Sequence, residues 1–89
     1  MKKINIKLLN EEGLHARPAT LFSKTAMKYK CDIELHKNGD TINAYNPKSI
    51  LSILSMGAIK GDELTITANG EDEEEAILKI AELIQNSFK

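Results

Sequence analysis

The sequence predicts an α+β fold: four strands form one antiparallel sheet, and three helices cover one of its faces, in the order βαββαβα. Three observations carry this. Apolar residues alternate in four short stretches, and others recur at steps of three and four in three longer ones. An Asn-Gly pair at 38–39 joins two of the alternating stretches as a tight hairpin turn does. A sheet with one apolar face needs a cover, and three helices on one side supply it.

Residues 4–9, INIKLL, place Ile4, Ile6 and Leu8 on one side and Asn5 and Lys7 on the other, which reads as a strand with one buried face. Residues 10–13, NEEG, form a loop with a glycine exit. From Ala16 to Tyr29 the period changes, with Ala19, Phe22, Ala26 and Tyr29 in a helical stripe and Thr20, Lys24 and Lys28 on another face. Pro18 fits only a first helical turn, so this helix starts at or just before Arg17. Residues 31–37, CDIELHK, return to period two, with Cys31, Ile33 and Leu35 facing inward. After the Asn-Gly turn, TINA (41–44) is expected as the short return strand.

Two starts are open for the next helix. Asn46 can cap it with Pro47 in first position, or Ser49 can cap it three residues later. Ile50, Leu51, Ile53, Leu54 and Met56 make it short and very apolar, and Gly57 and Gly61 punctuate its exit. ELTITA (63–68) is a strand with Leu64, Ile66 and Ala68 inward. In the last segment Asp72 and Glu75 have the spacing of a capping box, and the run EDEEE matches the positive end of the helix dipole. Ala76, Ile77, Ile80, Ala81, Ile84 and Phe88 form its core stripe.

The chain has 89 residues, read as one domain spanning 1–89, with 42% hydrophobic and 28% charged residues. A net charge of −1 and four aromatic residues leave no basic or stacking surface for nucleic acid. The single cysteine, Cys31, allows neither an internal disulfide nor a metal site and reads as core filling. No stretch reaches the length of about 20 apolar residues that spans a bilayer, and the N-terminus lacks a cleavable leader, so the expected location is the cytoplasm. No cofactor and no metal is expected.

Residues 11–20, EEGLHARPAT, hold His15 and the only arginine, Arg17, at a helix start. Free N–H groups and the dipole at that end favour an anion. Arg17 adds a bidentate cation suited to phosphate oxygens. Both oppose a further positive charge on the ring, so one imidazole nitrogen keeps its lone pair for attack on phosphorus. Ala16 and Ala19 leave the approach open. No acid–serine partner, second metal-binding histidine or G-x-x-x-x-G-K-[ST] loop accompanies the pair. That favours a carrier of phosphoryl groups over an enzyme on small molecules. His36 shares the outward parity of Asp32 and Glu34 and reads as a surface side chain.

G-L-H-A-R-P-A, residues 13–19, resembles the active-site signature of the HPr family, the histidine-containing phosphocarriers of the bacterial phosphoenolpyruvate-dependent sugar phosphotransferase system. The N-G-D turn, K-S-I-L-S-I-L-S-M-G (48–57), K-G-D-E-L-T-I (60–66) and the acidic start of the last helix extend the likeness along the chain. The resemblance implies an open-faced β-sandwich. It implies that His15 accepts phosphate on Nδ1 from phosphorylated enzyme I and passes it to the IIA domains of sugar permeases. It further implies that Arg17 neutralises the phosphoryl group and that the Ala16 and Arg17 N–H groups hold it. Thr20, Lys24, Met27, Ile50, Leu51 and Leu54 would form the partner-docking surface of a monomer. Read from hydropathy alone, Ile50, Leu51 and Leu54 would instead be core.

Ser49 matches the serine modified by HPr kinase/phosphorylase in low-GC Gram-positive bacteria, where the modified form recruits a catabolite-control transcription factor. Tyr45-Asn46-Pro47 departs from the family as an insertion of three residues before Lys48-Ser49. With Asn46 as the cap, Ser49 would lie inside the first turn. Ser52 and Ser55 read as structural or solvent-facing. A regulatory paralogue in carbon catabolite control is the alternative on the same scaffold. The rival of another class is a small acyl-phosphate hydrolase with Arg17 as anion site and Asn43 or Asn46 orienting water.

Overall fold

The computed structural model describes residues 1–89 as β1 (Lys2–Lys7), α1 (Ala16–Met27), β2 (Asp32–Lys37), α2 (Ile50–Met56), β3 (Glu63–Asn69) and α3 (Glu73–Gln85). The sheet is antiparallel in the order β1-β3-β2. Its register puts Ile4 opposite Ile66, and Leu35 on the other side of Ile66. The alternating apolar residues therefore line one face, as their period dictates. Cys31, Ile33, Leu35, Leu64, Ile66 and Ala68 are buried there. Ala19, Phe22 and Ala26 of α1 and Ala76, Ile77, Ile80 and Ile84 of α3 close over them.

The sheet has three strands, not the expected four. The Asn-Gly turn does form: Asn38 and Gly39 both have positive φ, 51° and 77°, and the Asp40 N–H donates to the Lys37 carbonyl at 3.0 Å. The return segment then leaves the sheet. The Asp40 carboxylate accepts from the Ile42 and Asn43 N–H groups and from the Asn43 amide, which bends the chain outward. Only Tyr45 comes back, pairing both its main-chain groups with Leu35. Thr41–Ala44 are all exposed, Ile42 at 89%.

Three other expectations are corrected. Asn46 does not cap α2: its Oδ1 accepts the Lys48 N–H and its carbonyl accepts the Ser49 N–H, closing a separate turn. Ser49, in extended conformation, is the cap, its Oγ accepting the Ser52 N–H at 3.2 Å. Asp72 stands at the N-cap position of α3, but its carboxylate leaves the helix to accept the Lys30 and Cys31 N–H groups at 2.8 and 2.9 Å. A reciprocal pair forms two residues earlier, with the Gly70 N–H donating to Glu73 Oε1 and the Glu73 N–H to the Gly70 carbonyl. Finally, α3 ends at Gln85 and Phe88 does not continue its stripe. Ser87 and Phe88 turn left-handed, the Phe88 N–H donates to the Leu83 carbonyl, and the Phe88 ring comes to rest fully buried 6.5 Å from Phe22.

No helix is long and apolar enough to cross a membrane.

Candidate functional site

Pro18 decides where α1 begins. It has no N–H to donate and sits buried in the first turn, which leaves His15 as the N-cap with φ −121° and ψ 162°. The His15 side chain makes no cap hydrogen bond, so the imidazole is not used to satisfy its own helix. The residue is exposed. Ala16 follows at φ 46°, a left-handed conformation that costs an L-residue on the order of 1–3 kcal/mol. The first-turn N–H groups of Ala16 and Arg17 have no acceptor within the helix.

Arg17 is exposed, two positions after His15. None of the ion pairs in the molecule includes it, and the first turn of α1 holds no acidic residue. Its charge and its five N–H donors are therefore uncommitted. The helix end, with His15 and Arg17 both exposed at it, makes one solvent-facing corner.

That corner is held from below by the 10–14 loop and Ala58, a contact between two loops that the sequence does not show. Gly13 has φ 62°, and a Cβ there would lie 2.4 Å from the Ala58 carbonyl oxygen. Next to it the Leu14 N–H donates to that same oxygen at 3.0 Å, and the Leu14 side chain is fully buried. Asn10 is buried too, and donates from Nδ2 to the Gly13 carbonyl at 2.8 Å. Gly13 stands in the signature stretch, but only the position of Ala58 explains why a glycine is required. Nothing in the local pattern around Asn10 marks it.

The remaining sequence candidates lie along α1 and on α2. Thr20, Lys24 and Met27 are exposed along α1, and the Thr20 hydroxyl donates to the Ala16 carbonyl. On α2, Ile50, Leu51 and Leu54 are exposed at 41%, 79% and 39%, while Ile53 and Met56 carry the buried side. The hydropathic reading of Ile50, Leu51 and Leu54 as core is thus overturned, because one turn of α2 can bury only one side against α1 and the sheet. Ser23 on α1 donates to the Lys48 carbonyl at 3.4 Å, tying the start of α2 to α1.

Ser49 is half-buried at the edge of α2, not inside its first turn. Asn43 and Asn46 both engage their side chains in local turns, which removes the water-orienting asparagine that an acyl-phosphate hydrolase needs. His36 lies on the uncovered sheet face opposite Thr65. The Cys31 thiol is buried, and its pKa is raised, first by burial and then by Asp72. No group of three or more His, Cys, Asp or Glu side chains converges in a way that could hold a metal ion.

Comparison with known proteins adds the family context. The model of the PTS HPr component phosphorylation site matches residues 2–86. The chain is similar to HPr of Thermoanaerobacter tengcongensis, with 41% identity, coverage of 99% of this chain and 96% of that one, and a TM-score of 0.92. It is similar to the phosphocarrier protein HPr of Bacillus anthracis, with 36% identity, 94% and 96% coverage and a TM-score of 0.86. It is also similar to the catabolite repression protein Crh of Bacillus subtilis, solved as a domain-swapped dimer, with 34% identity, 100% and 99% coverage and a TM-score of 0.73.

Proposed function

Because the chain belongs to the HPr family, whose members are phosphocarriers and not catalytic enzymes, we propose that it takes a phosphoryl group onto Nδ1 of His15 from phosphorylated enzyme I. It then passes the group to the IIA domains of sugar permeases. The observation that carries this reading is an exposed imidazole at a helix N-cap that caps nothing, two residues before an arginine with no carboxylate partner.

The chemistry follows from that geometry. The Nδ1 lone pair forms a bond to phosphorus as the bond from phosphorus to the donor breaks, and the donor keeps that electron pair. Charge on the transferring oxygens meets the Arg17 guanidinium and the Ala16 and Arg17 N–H groups. Transfer onward is the same exchange in reverse. Both partners must reach one histidine, so each complex is small and short-lived. Thr20, Lys24, Met27, Ile50, Leu51 and Leu54 form the docking face, and the exposed apolar side chains of Met27, Ile50, Leu51 and Leu54 are of the kind that marks such a surface. The chain works as one unit over residues 1–89, in the cytoplasm, as a monomer without cofactor.

Ser49 is the regulatory site. At the helix edge its Oγ already accepts the Ser52 N–H, and a phosphate there adds acceptor oxygens at a helix start. HPr kinase/phosphorylase and a catabolite-control transcription factor are the corresponding partners. The similarity to Crh favours a second reading, a regulatory paralogue on the same scaffold.

Incubation with phosphoenolpyruvate and enzyme I tests the carrier reading. Wild type takes up acid-labile phosphate and His15→Ala does not; unlabelled wild type refutes it. Arg17→Glu slows transfer strongly while the fold persists. Restored uptake of a phosphotransferase sugar in a carrier-deficient strain separates the carrier from the paralogue. Light scattering at micromolar concentration separates monomer from dimer.

A further inference from the structure

We propose that Asn10 is a positioning residue for His15, acting through the peptide plane between Gly13 and Leu14. This rests on the reading of His15 as phosphoryl acceptor.

Both ends of that plane are held. Its carbonyl, from Gly13, accepts from Asn10 Nδ2 at 2.8 Å. Its N–H, from Leu14, donates to the Ala58 carbonyl at 3.0 Å. The Gly13 N–H in turn donates to the Asn10 carbonyl at 3.2 Å, so residues 10–13 are closed by a main-chain and a side-chain bond together. Asn10 is itself anchored just after Leu8, whose N–H donates to Asp62 and whose carbonyl accepts from Gly61. The next residue along is Leu14, fully buried; the one after that is His15, the first to emerge. A plane fixed at both ends leaves little freedom in the direction from which the imidazole leaves the backbone.

The cost of keeping Asn10 points the same way. Its exposure is only 6%, and its Oδ1 is buried without any hydrogen-bond partner. A buried acceptor left unpaired is unfavourable, and an apolar residue of similar size would avoid it. What an apolar residue cannot supply is the N–H to Gly13. Asn10 does not face solvent, so partners dock without touching it.

Steady-state phosphorylation by enzyme I, with this protein as the varied substrate, separates positioning from docking and from stability. Asn10→Ala is expected to lower the maximal rate by about tenfold or more, as misplacement of a reacting group does, with KM unchanged within about twofold. Ile77→Val, a core change near the start of α3, the end that Asp72 ties to Lys30 and Cys31, serves as the stability control and leaves both constants unchanged. Asn10→Leu, of similar size and without a donor, is the second variant should the alanine form fail to fold. In wild type, the Asn10 side-chain amide protons exchange slowly with solvent. The proposal is overturned if the maximal rate of the variants stays within twofold of wild type, if it falls only in step with the control, if KM rises instead, or if the amide protons exchange freely. Wild type that accepts no phosphate refutes the His15 reading; labelled wild type with unimpaired Asn10 variants refutes only the role of Asn10.

Discussion

Replacing Gly13 by alanine tests how the reactive corner is built. At φ 62° an L-residue is disfavoured by about 1–2 kcal/mol. The new Cβ would lie 2.4 Å from the Ala58 oxygen and 2.7 Å from Ile59 Cα, about 1 Å inside ordinary contact. Both neighbours are backbone, so no side chain can swing away, and overpacking of this kind adds about 1–3 kcal/mol. Together these give about 2–5 kcal/mol, a large part of the roughly 5–15 kcal/mol that holds a small domain folded. The relaxation that relieves the clash separates the 10–14 loop from the 58–59 loop by about that same ångström. It thereby breaks the 3.0 Å bond from the Leu14 N–H to Ala58. His15 moves with Leu14, and a displacement of that size slows group transfer by up to about 100-fold. Urea unfolding gives the stability and phosphate uptake from enzyme I gives the rate, both at a temperature where the variant is still folded. An alanine variant with the wild-type midpoint and the wild-type rate would falsify the packing argument.

Other outcomes follow from single features. Phe88→Ala removes a fully buried ring and is expected to cost about 3–5 kcal/mol, read as a lower thermal midpoint; a loss under about 1 kcal/mol would mean the tail does not belong to the core. Leu51→Glu, at a side chain 79% exposed, should leave the unfolding midpoint within about 0.5 kcal/mol of wild type while weakening the use of the protein by enzyme I; an unchanged KM removes α2 from the docking face. The Asp62 carboxyl is held below its usual pKa, first by the Ile59 N–H and then by the Asn38 amide, and that of Asp72 first by the Lys30 N–H. Folded pKa values below the unfolded ones mean that the unfolded chain binds protons first. Their stabilisation is complete above about pH 5 and is lost as the pH falls through the carboxylate range. Asp72→Asn should therefore flatten the acid limb of the stability–pH curve, and an unchanged limb would show that Asp72 does not titrate with folding.

The parts of this fold that were legible in the sequence are those decided by neighbours along the chain. A period of two at 31–35 and 64–68 fixed which side chains face the core, and all of them are buried. Pro18 located the start of α1 by stereochemistry alone, and with it the place of His15. What escaped is decided across the chain. Asp72 has the composition of a cap, yet its oxygens serve the amides of Lys30 and Cys31, more than 40 residues away in sequence. Asn10 reads as a loop residue until Ala58 is seen to hold the other end of the same peptide plane. From hydropathy alone Ile50, Leu51 and Leu54 read as core, because hydropathy cannot tell a buried helix from one with an exposed apolar face.

The missing strand shows how a local signal and a tertiary one compete. In an antiparallel pair the residue numbers of partners keep a constant sum. The Asn-Gly turn pairs Lys37 with Asp40, which would set Ile42 opposite Leu35. The bridge actually formed pairs Leu35 with Tyr45, three residues further on. An odd slip reverses the faces, so the side chain that alternation sends inward, Ile42, ends in solvent, and Tyr45 packs on the core in its place. Continued in the bridge register, the pairing would bring Pro47 opposite Ile33, where it has no N–H to donate. The slip of three residues is thus taken up between Asp40 and Tyr45. That placement returns Lys48 and Ser49 to the edge of α2, with Ser49 as its cap. The slip falls on the sheet edge, and α2 still starts from Ser49.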